Sequence, residues 1–386
     1  MRTDLVNAAS TGLPMKRIQT IAIIGTRGHF GTVLRELPDL PEQRLIAVAD
    51  GGGTDNSIGV FNWARTQGRP EPQAFGSDWQ RMLDVAKPDA VVIAGPFELQ
   101  TAMAVEAIER GIHVMVEKPG ALTWGDLSAL RAAHQRRPDT HLASMLFSRY
   151  MPGFYTAHQM IRRGAIGEIC LIESRKSYKL GTRGPHYRRR ETYGGTILWV
   201  GSHAIDWVSW LAGVPYRSVF ATHSTAHNTP AQGTMELSAL CHFKLAQGCT
   251  ASVAIDMHRP ERAPTHGDDW ARVVGTKGVL EVRPGSVQLI DRDNDGTTPI
   301  EVACDRKPWR DFIDHVEGRG QGLINAVDTL ALANACLRAR TSADEERVVS
   351  FDGPVDGSVR APASSVQVHV APVHTSVSDF DVAAAK

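Results

Sequence analysis

Short apolar runs ending in glycine or an acid alternate with amphipathic stretches through residues 17–147. Thr20–Gly25 (TIAIIG) and Arg44–Asp50 (RLIAVAD) lack the in–out alternation of a half-wet strand. Each therefore predicts a strand buried on both faces, as in a parallel sheet. Ala90–Ala94, His113–Glu117 and His141–Phe147 repeat the pattern. Between them His29–Leu37, Asp78–Ala86, Leu99–Arg110 and Leu127–Gln135 carry helical spacing, with stops at Pro38 and Gly111. Buried strands alternating with helices predict an α/β Rossmann domain, a doubly wound parallel sheet, over residues 17–147.

From residue 148 the pattern changes. Strands are predicted at Glu168–Tyr178, Ser218–His227, Met235–Lys244, Cys249–Met257, Ala271–Val274, Val279–Arg283 and Val287–Asp291. Ala246–Gly248 and Lys277-Gly278 have the length and the glycine of hairpin turns. Helices fall at Tyr155–Arg163, Ser202–Leu211, Pro308–Glu317 and Leu323–Ala339. This predicts an α+β domain over residues 148–360, built on a large, mainly antiparallel, open-faced sheet. Such a sheet leaves one face for water or a partner, so a homodimer or homotetramer through it is expected. Leu237, Ala239 and Cys241 are assigned to one face of that sheet, Leu240 and Phe243 to the other. Residues 1–16 are polar, lack an apolar signal core, and predict a disordered extension. Residues 361–386 are rich in Ala, Ser and Val without a helical period, and predict an arm or tail.

Composition narrows the function classes. Lys+Arg and Asp+Glu both number 42, so net charge gives no reason to expect a nucleic acid or an anionic membrane as partner. No apolar run approaches the roughly 18 residues of a membrane span. The five cysteines form no Cys-x-x-Cys pair and read as buried free thiols in a reducing cytoplasm. The 15 histidines form no His-Glu-x-x-His or similar spacing, so no metal is expected.

Candidate chemistry begins between the first strand and the first helix. There Gly25, Thr26, Arg27, Gly28, His29, Phe30 and Gly31 give G-x-x-G-x-x-G, one residue longer than the usual dinucleotide fingerprint. Glycines at this place let the chain turn tightly and let backbone N–H groups approach a pyrophosphate. Alone, such a loop is equally a plain strand-to-helix turn. Asp50 ends the second strand where an acid meets the adenosine ribose; it is also a turn-former before Gly51–Gly53. Strand, glycine turn, helix, strand and terminal acid together point to NAD. A carboxylate there disfavours the 2′-phosphate of NADP, whereas Arg27 is a group that could meet phosphate.

Two further segments carry a family resemblance. Residues 88–96 (PDAVVIAGP) and 107–119 (AIERGIHVMVEKP) resemble the central signature of the Gfo/Idh/MocA oxidoreductases. Residues 193–206 (YGGTILWVGSHAID) are similar to that family's second motif, roughly G-G-G-x-L-x-D-x-G-x-H-x-x-D. Residues 148–152 (SRYMP) and 164–167 (GAIG) also fit, so the resemblance spans about Lys16 to Phe351. It implies that Lys118, often preceding a cis proline, contacts both the nicotinamide ribose region and the reacting hydroxyl. It implies an acid–base role for His203, with Asp206 either orienting that ring or pairing locally. The cofactor site then extends from the glycine loop and Asp50 to Gly95, Pro96, Gln100 and Glu117. Candidate substrate contacts are Lys118, Arg149, His186, Tyr187, Trp199 and His203.

Departures from the pattern matter. Trp199 stands where the family usually has an Asp, four positions before the histidine. Gln100 replaces a common histidine, and Gly95-Pro96 a Thr-Pro. Trp199 reads as packing or as a stacking platform for a sugar face. The basic run from Gly181 to Arg190 (GTRGPHYRRR) reads as a solvated or oligomer-contacting face. The sharper alternative is that Arg183, His186 or Arg188 binds a carboxylate. Three functions follow. The first is a dehydrogenase or reductase acting on a hydroxyl or keto carbon of a sugar, inositol or sugar-derived acid. The second is a glycoside hydrolase or lyase using transient internal redox of NAD, and the third a non-catalytic dinucleotide sensor.

Overall fold

The computed structural model describes residues 17–52 and 55–353; the predicted extension at 1–16 and arm at 361–386 lie outside them. In the first half the elements run β1 (Thr20–Ile24), α1 (Phe30–Glu36), β2 (Arg44–Ala49), α2 (Ile58–Thr66), β3 (Gln73–Ala74) and α3 (Trp79–Ala86). They continue with β4 (Ala90–Ile93), α4 (Phe97–Glu109), β5 (His113–Val116), α5 (Trp124–Arg136) and β6 (Leu142–Ser144). The strands lie in the order β3-β2-β1-β4-β5-β6 and every pair is parallel. This is a Rossmann sheet whose strand order reverses between β1 and β4, where α/β ligands bind. Ile21, Ile23 and Ile24 of β1, and Val91, Val92 and Ile93 of β4, are fully buried, as their unbroken apolar runs require.

The second half runs α6 (Pro152–Arg162), β7 (Ile169–Lys179), α7 (Arg190–Tyr193), α8 (Thr196–Trp199), α9 (Gly201–Ala212), β8 (Tyr216–Ser224), β9 (Ser238–Leu245) and β10 (Thr250–Arg259). Then follow β11 (Gly267–Gly275), β12 (Gly278–Arg283), β13 (Ser286–Asp291), β14 (Thr298–Ile300), α10 (Pro308–Val316), α11 (Ala326–Glu345) and β15 (Val349–Ser350). The nine strands form one sheet, ordered β14-β13-β12-β11-β7-β10-β9-β8-β15. It is antiparallel except where β7 meets β10. Helix α9 covers one face, and Ser174 of β7 donates to the Ala204 carbonyl in it (3.2 Å).

Several local expectations are corrected. The helix α2 and the two-residue β3 were not foreseen. Only Val60 and Ala64 of α2 are buried, too few to leave a clear apolar stripe. The last helix starts later and runs further than predicted. Asn325 caps it by accepting from Val327 and Asp328 N–H, Asp328 reaches back to Asn325 N–H, and Glu346 ends it in a left-handed conformation. Phe243 shares the buried face of β9 with Ala239 and Cys241, and Leu240 alone of that group points outward, 61% exposed. Strand periodicity of two demands that assignment. All five cysteines are free, but Cys170 is exposed and Cys304 half-buried, so only Cys241, Cys249 and Cys336 act as core hydrophobes.

After the second sheet the chain returns to the first half. Trp309 Nε1 donates to Gln43 (2.8 Å) and the Arg310 amide to Glu36 (2.9 Å), which joins α10 to α1. Thr329 in α11 accepts from the Ser144 amide at the end of β6 (2.9 Å). The Trp309 and Arg310 bonds brace the amino edge of the first sheet, just before β2, and the Thr329 bond holds its carboxyl edge at the end of β6. No helix among the described residues is long and apolar enough to cross a membrane.

Candidate active site

The glycine loop leaves β1 at the point where the strand order reverses. Gly25 has φ +75°, and a Cβ there would lie 2.3 Å from Gly95 Cα, so the two loops after β1 and β4 close on each other. Gly28 (φ +65°) leaves room for the Glu117 carboxylate, which a Cβ would meet at 2.8 Å. Glu117 is buried and accepts from the His29 amide (3.2 Å) and pairs with its ring Nδ1 (2.9 Å). Phe30 begins α1 and packs against the core. Thr26 donates to the Asn56 carbonyl (2.8 Å).

Asp50 sits just past β2, half-buried, and accepts from the Ser57 hydroxyl (2.6 Å). A second acid, Asp55, was not singled out from the sequence. It pairs with Arg27 Nε, and burial, with Asp50 nearby, raises its pKa against the pull of Arg27. Arg27 is thus engaged by a carboxylate within the site. Gln100 is fully buried and donates to the Gly95 carbonyl (3.0 Å), bracing the loop from behind. Pro96 caps α4 in extended conformation, buried beside Gly95. Two glycines whose side chains would collide, an acid after β2 and amides at a helix start fit a dinucleotide.

Lys118 follows β5, is joined to Pro119 by a cis peptide bond, and is 4% exposed. Its Nζ donates to the Trp199 carbonyl (2.5 Å), one helical turn before His203. Burial pulls the Lys118 pKa down to about 8; Glu117 works against this, while Lys176 and Arg183 add to it. His203 lies in the first turn of α9, 4% exposed, with its Nδ1 3.2 Å from the Ser148 hydroxyl. Burial first, then the charges of Lys176, Lys118 and His29, holds its pKa well below the usual imidazole range. The His29 ring stands edge-on to it, 5.9 Å between centroids. Residues from both halves therefore converge on one buried spot.

Other expectations divide. Asp206 does not reach His203; it takes a bidentate pair from Arg149 (2.8 and 2.6 Å), both residues buried. Arg149 also donates to Asp328 and to the Leu323 carbonyl, so its guanidinium is consumed in tying α9 to α11. The structure thus corrects its assignment as a substrate contact. Trp199 is 7% exposed and packs on Tyr187 (4.2 Å) and, edge-on, on Tyr193 (6.2 Å). Its backbone carbonyl, not its ring, accepts from Lys118. His186 and Tyr187 pack against Phe97 at the start of α4. Burial pulls His186 down to about 4 and pushes Tyr187 up to about 12, so both are neutral near pH 7.

Besides Asp55, two residues beside the candidate site were missed. Lys176, fully buried in β7, pairs with Asp269 directly across the strand in β11 (2.5 Å) and lies over the Trp207 ring (5.0 Å). Ser148 was visible only as part of the SRYMP segment. Nothing local to KSYK marks Lys176 as buried. Its position on the face toward α9 is set by strand parity and sheet pairing.

Comparisons with known proteins agree with this geometry. Residues 19–143 match the model of the oxidoreductase family with an NAD-binding Rossmann fold, and residues 154–281 match the Gfo/Idh/MocA C-terminal domain. The inositol 2-dehydrogenase of Corynebacterium glutamicum strain R is 25% identical over 309 residues, covering 77% of this chain and 86% of that protein. The rhizopine catabolism protein MocA of Rhizobium meliloti is 27% identical over 205 residues, 52% of this chain; the match spans 61% of that protein's length. A solved oxidoreductase structure from Thermotoga maritima is 38% identical, with a TM-score of 0.80, covering 86% of this chain and all of that one. With both halves matched and the lysine and histidine of the two motifs brought together, the chain belongs to the Gfo/Idh/MocA family of oxidoreductases.

Proposed function

We propose that the chain is an NAD-dependent dehydrogenase or reductase acting on a hydroxyl or keto carbon of a sugar, inositol or sugar-derived acid. The convergence of Lys118 and His203 carries the reading: one follows β5 of the first sheet, the other lies in α9 against the second, and both are buried close enough for Lys118 to oppose protonation of His203. The glycine loop, Asp50 and the Gly95-Pro96 loop hold the cofactor, and bound NAD supplies the acceptor for a hydride from the carbinol carbon. Lys118 donates an N–H to the reacting oxygen and orients it. His203, kept neutral by burial and by its cationic neighbours, accepts the hydroxyl proton through the ring nitrogen that Ser148 leaves free. In reduction the same groups return that proton.

NAD is preferred over NADP in this reading, because Asp50 and Asp55 both lie near the ribose end and Arg27 is spent on Asp55. The outward face of the second sheet carries Leu240 (61% exposed) and Phe220 (42% exposed), which supports pairing of subunits through it. The compartment in this reading is the cytoplasm.

A panel of polyols, aldoses and sugar acids with NAD tests the reaction. Steady NADH formation with at least one of them is expected. Product release from a glycoside without net NADH would replace this reading with internal redox. Cofactor binding with neither activity would leave a sensor.

A further inference from the structure

The candidate site holds more cations than its own carboxylates neutralise. Glu117 is taken by His29, and Asp269 by Lys176. Lys118 has the Trp199 carbonyl as partner and, among the described residues, no carboxylate within ion-pair distance. Arg183 is in the same condition. Its guanidinium lies over the rings of Trp199 (5.0 Å) and Tyr187 (5.8 Å), one amine donates to the Lys179 carbonyl (3.1 Å), and its Nε is buried without a partner among the described residues.

Both cations meet Trp199, Arg183 over its ring and Lys118 at its carbonyl, and Arg183 opposes the protonation of Lys118. The family's acid at position 199 would have offset them, and this chain has an indole there. Lys118 is buried and Arg183 half-buried; a buried cation without a counter-charge is costly, and a guanidinium stacked on aromatic rings offers its N–H groups to a planar acceptor.

We propose that the substrate is anionic: a hydroxy- or keto-acid of the sugar class, whose carboxylate pairs with Arg183 while its reacting oxygen meets Lys118. This rests on the dehydrogenase reading given above. The carboxylate supplies the missing counter-charge, and the Trp199 and Tyr187 rings pack against the carbon chain. A neutral polyol fills the same space without relieving the charge.

Matched pairs that differ only in the anion, glucuronate with glucose and gluconate with glucitol, test the proposal. With NAD present, the acid of a pair is expected to show kcat/KM at least about tenfold above the neutral compound. Arg183→Gln should lower the acid's kcat/KM by about 30-fold, change the neutral compound little, and leave NAD affinity intact. Arg183→Lys should recover part of the loss. Equal or better use of the neutral compounds, or an equal loss on both in Arg183→Gln, overturns it. If no compound turns over, the dehydrogenase reading fails separately, and calorimetric titration of the NAD-loaded protein with gluconate and glucitol decides the anion. Heat from gluconate alone that Arg183→Gln abolishes supports the proposal, and its absence overturns it.

Discussion

The cofactor edge of the first sheet and the wall facing it from the second solve opposite electrostatic problems. In the cofactor loops the charged side chains pair within the loop cluster: Arg27 with Asp55, Glu117 with His29, Asp50 with Ser57. On the substrate side Lys118, which follows β5, meets the Trp199 carbonyl, and Arg183 from the wall lies over the Trp199 and Tyr187 rings; neither has a carboxylate at ion-pair distance among the described residues. Preorganised pairs hold a shape for a ligand recognised by backbone and by one hydroxyl. Unmatched cations instead leave part of the interaction for the ligand to complete. The difference teaches where specificity resides: the first region identifies a class of cofactor, the second a particular substrate.

That contrast can be broken most directly at the reacting centre. Lys118→Met and His203→Ala should each cut kcat by about 100- to 10,000-fold, with NAD affinity by calorimetry and thermal melting unchanged. Full turnover in well-folded His203→Ala would remove it as the acid–base group. A fall in melting temperature that matches the lost activity would make it structural.

Next in size is the buried pair behind the wall. Arg149→Met should cost about 3–5 kcal/mol in urea unfolding, because it strands Asp206 uncompensated. Arg149→Met with Asp206→Leu should regain most of that. A single variant as stable as the parent would mean that the pair does not tie α9 to α11.

At the cofactor edge, Asp50→Ser should narrow the preference for NAD over NADP by about 1–3 kcal/mol in paired titrations. An unchanged gap would shift the discrimination to Asp55.

The smallest effect separates the regions by pH. Burial depresses Lys118 to about 8, so the activity profile should carry a limb there that Lys118→Arg removes. The sign for stability follows: unfolded Lys118 keeps its proton up to about 10.5, so stability rises as pH climbs from about 8 toward that value. A limb that persists in Lys118→Arg would assign it to another group.

The sequence by itself determined the architecture and most of the cofactor edge. Short unbroken apolar runs, rich in β-branched residues and bounded by turn formers, read as strands buried on both faces, and a glycine turn, an acid and a lysine before proline lie within a few residues of their strands. Such short-range relations survive in a one-dimensional reading. Only the tertiary structure decided the rest. Asp206 went to Arg149, Asp55 to Arg27 and Lys176 to Asp269, and the Trp199 carbonyl took Lys118. The last three of these join residues 28, 93 and 81 positions apart. Charge pairing in a low-dielectric interior depends on which groups folding brings within a few ångströms, and spacing along the chain carries no record of that.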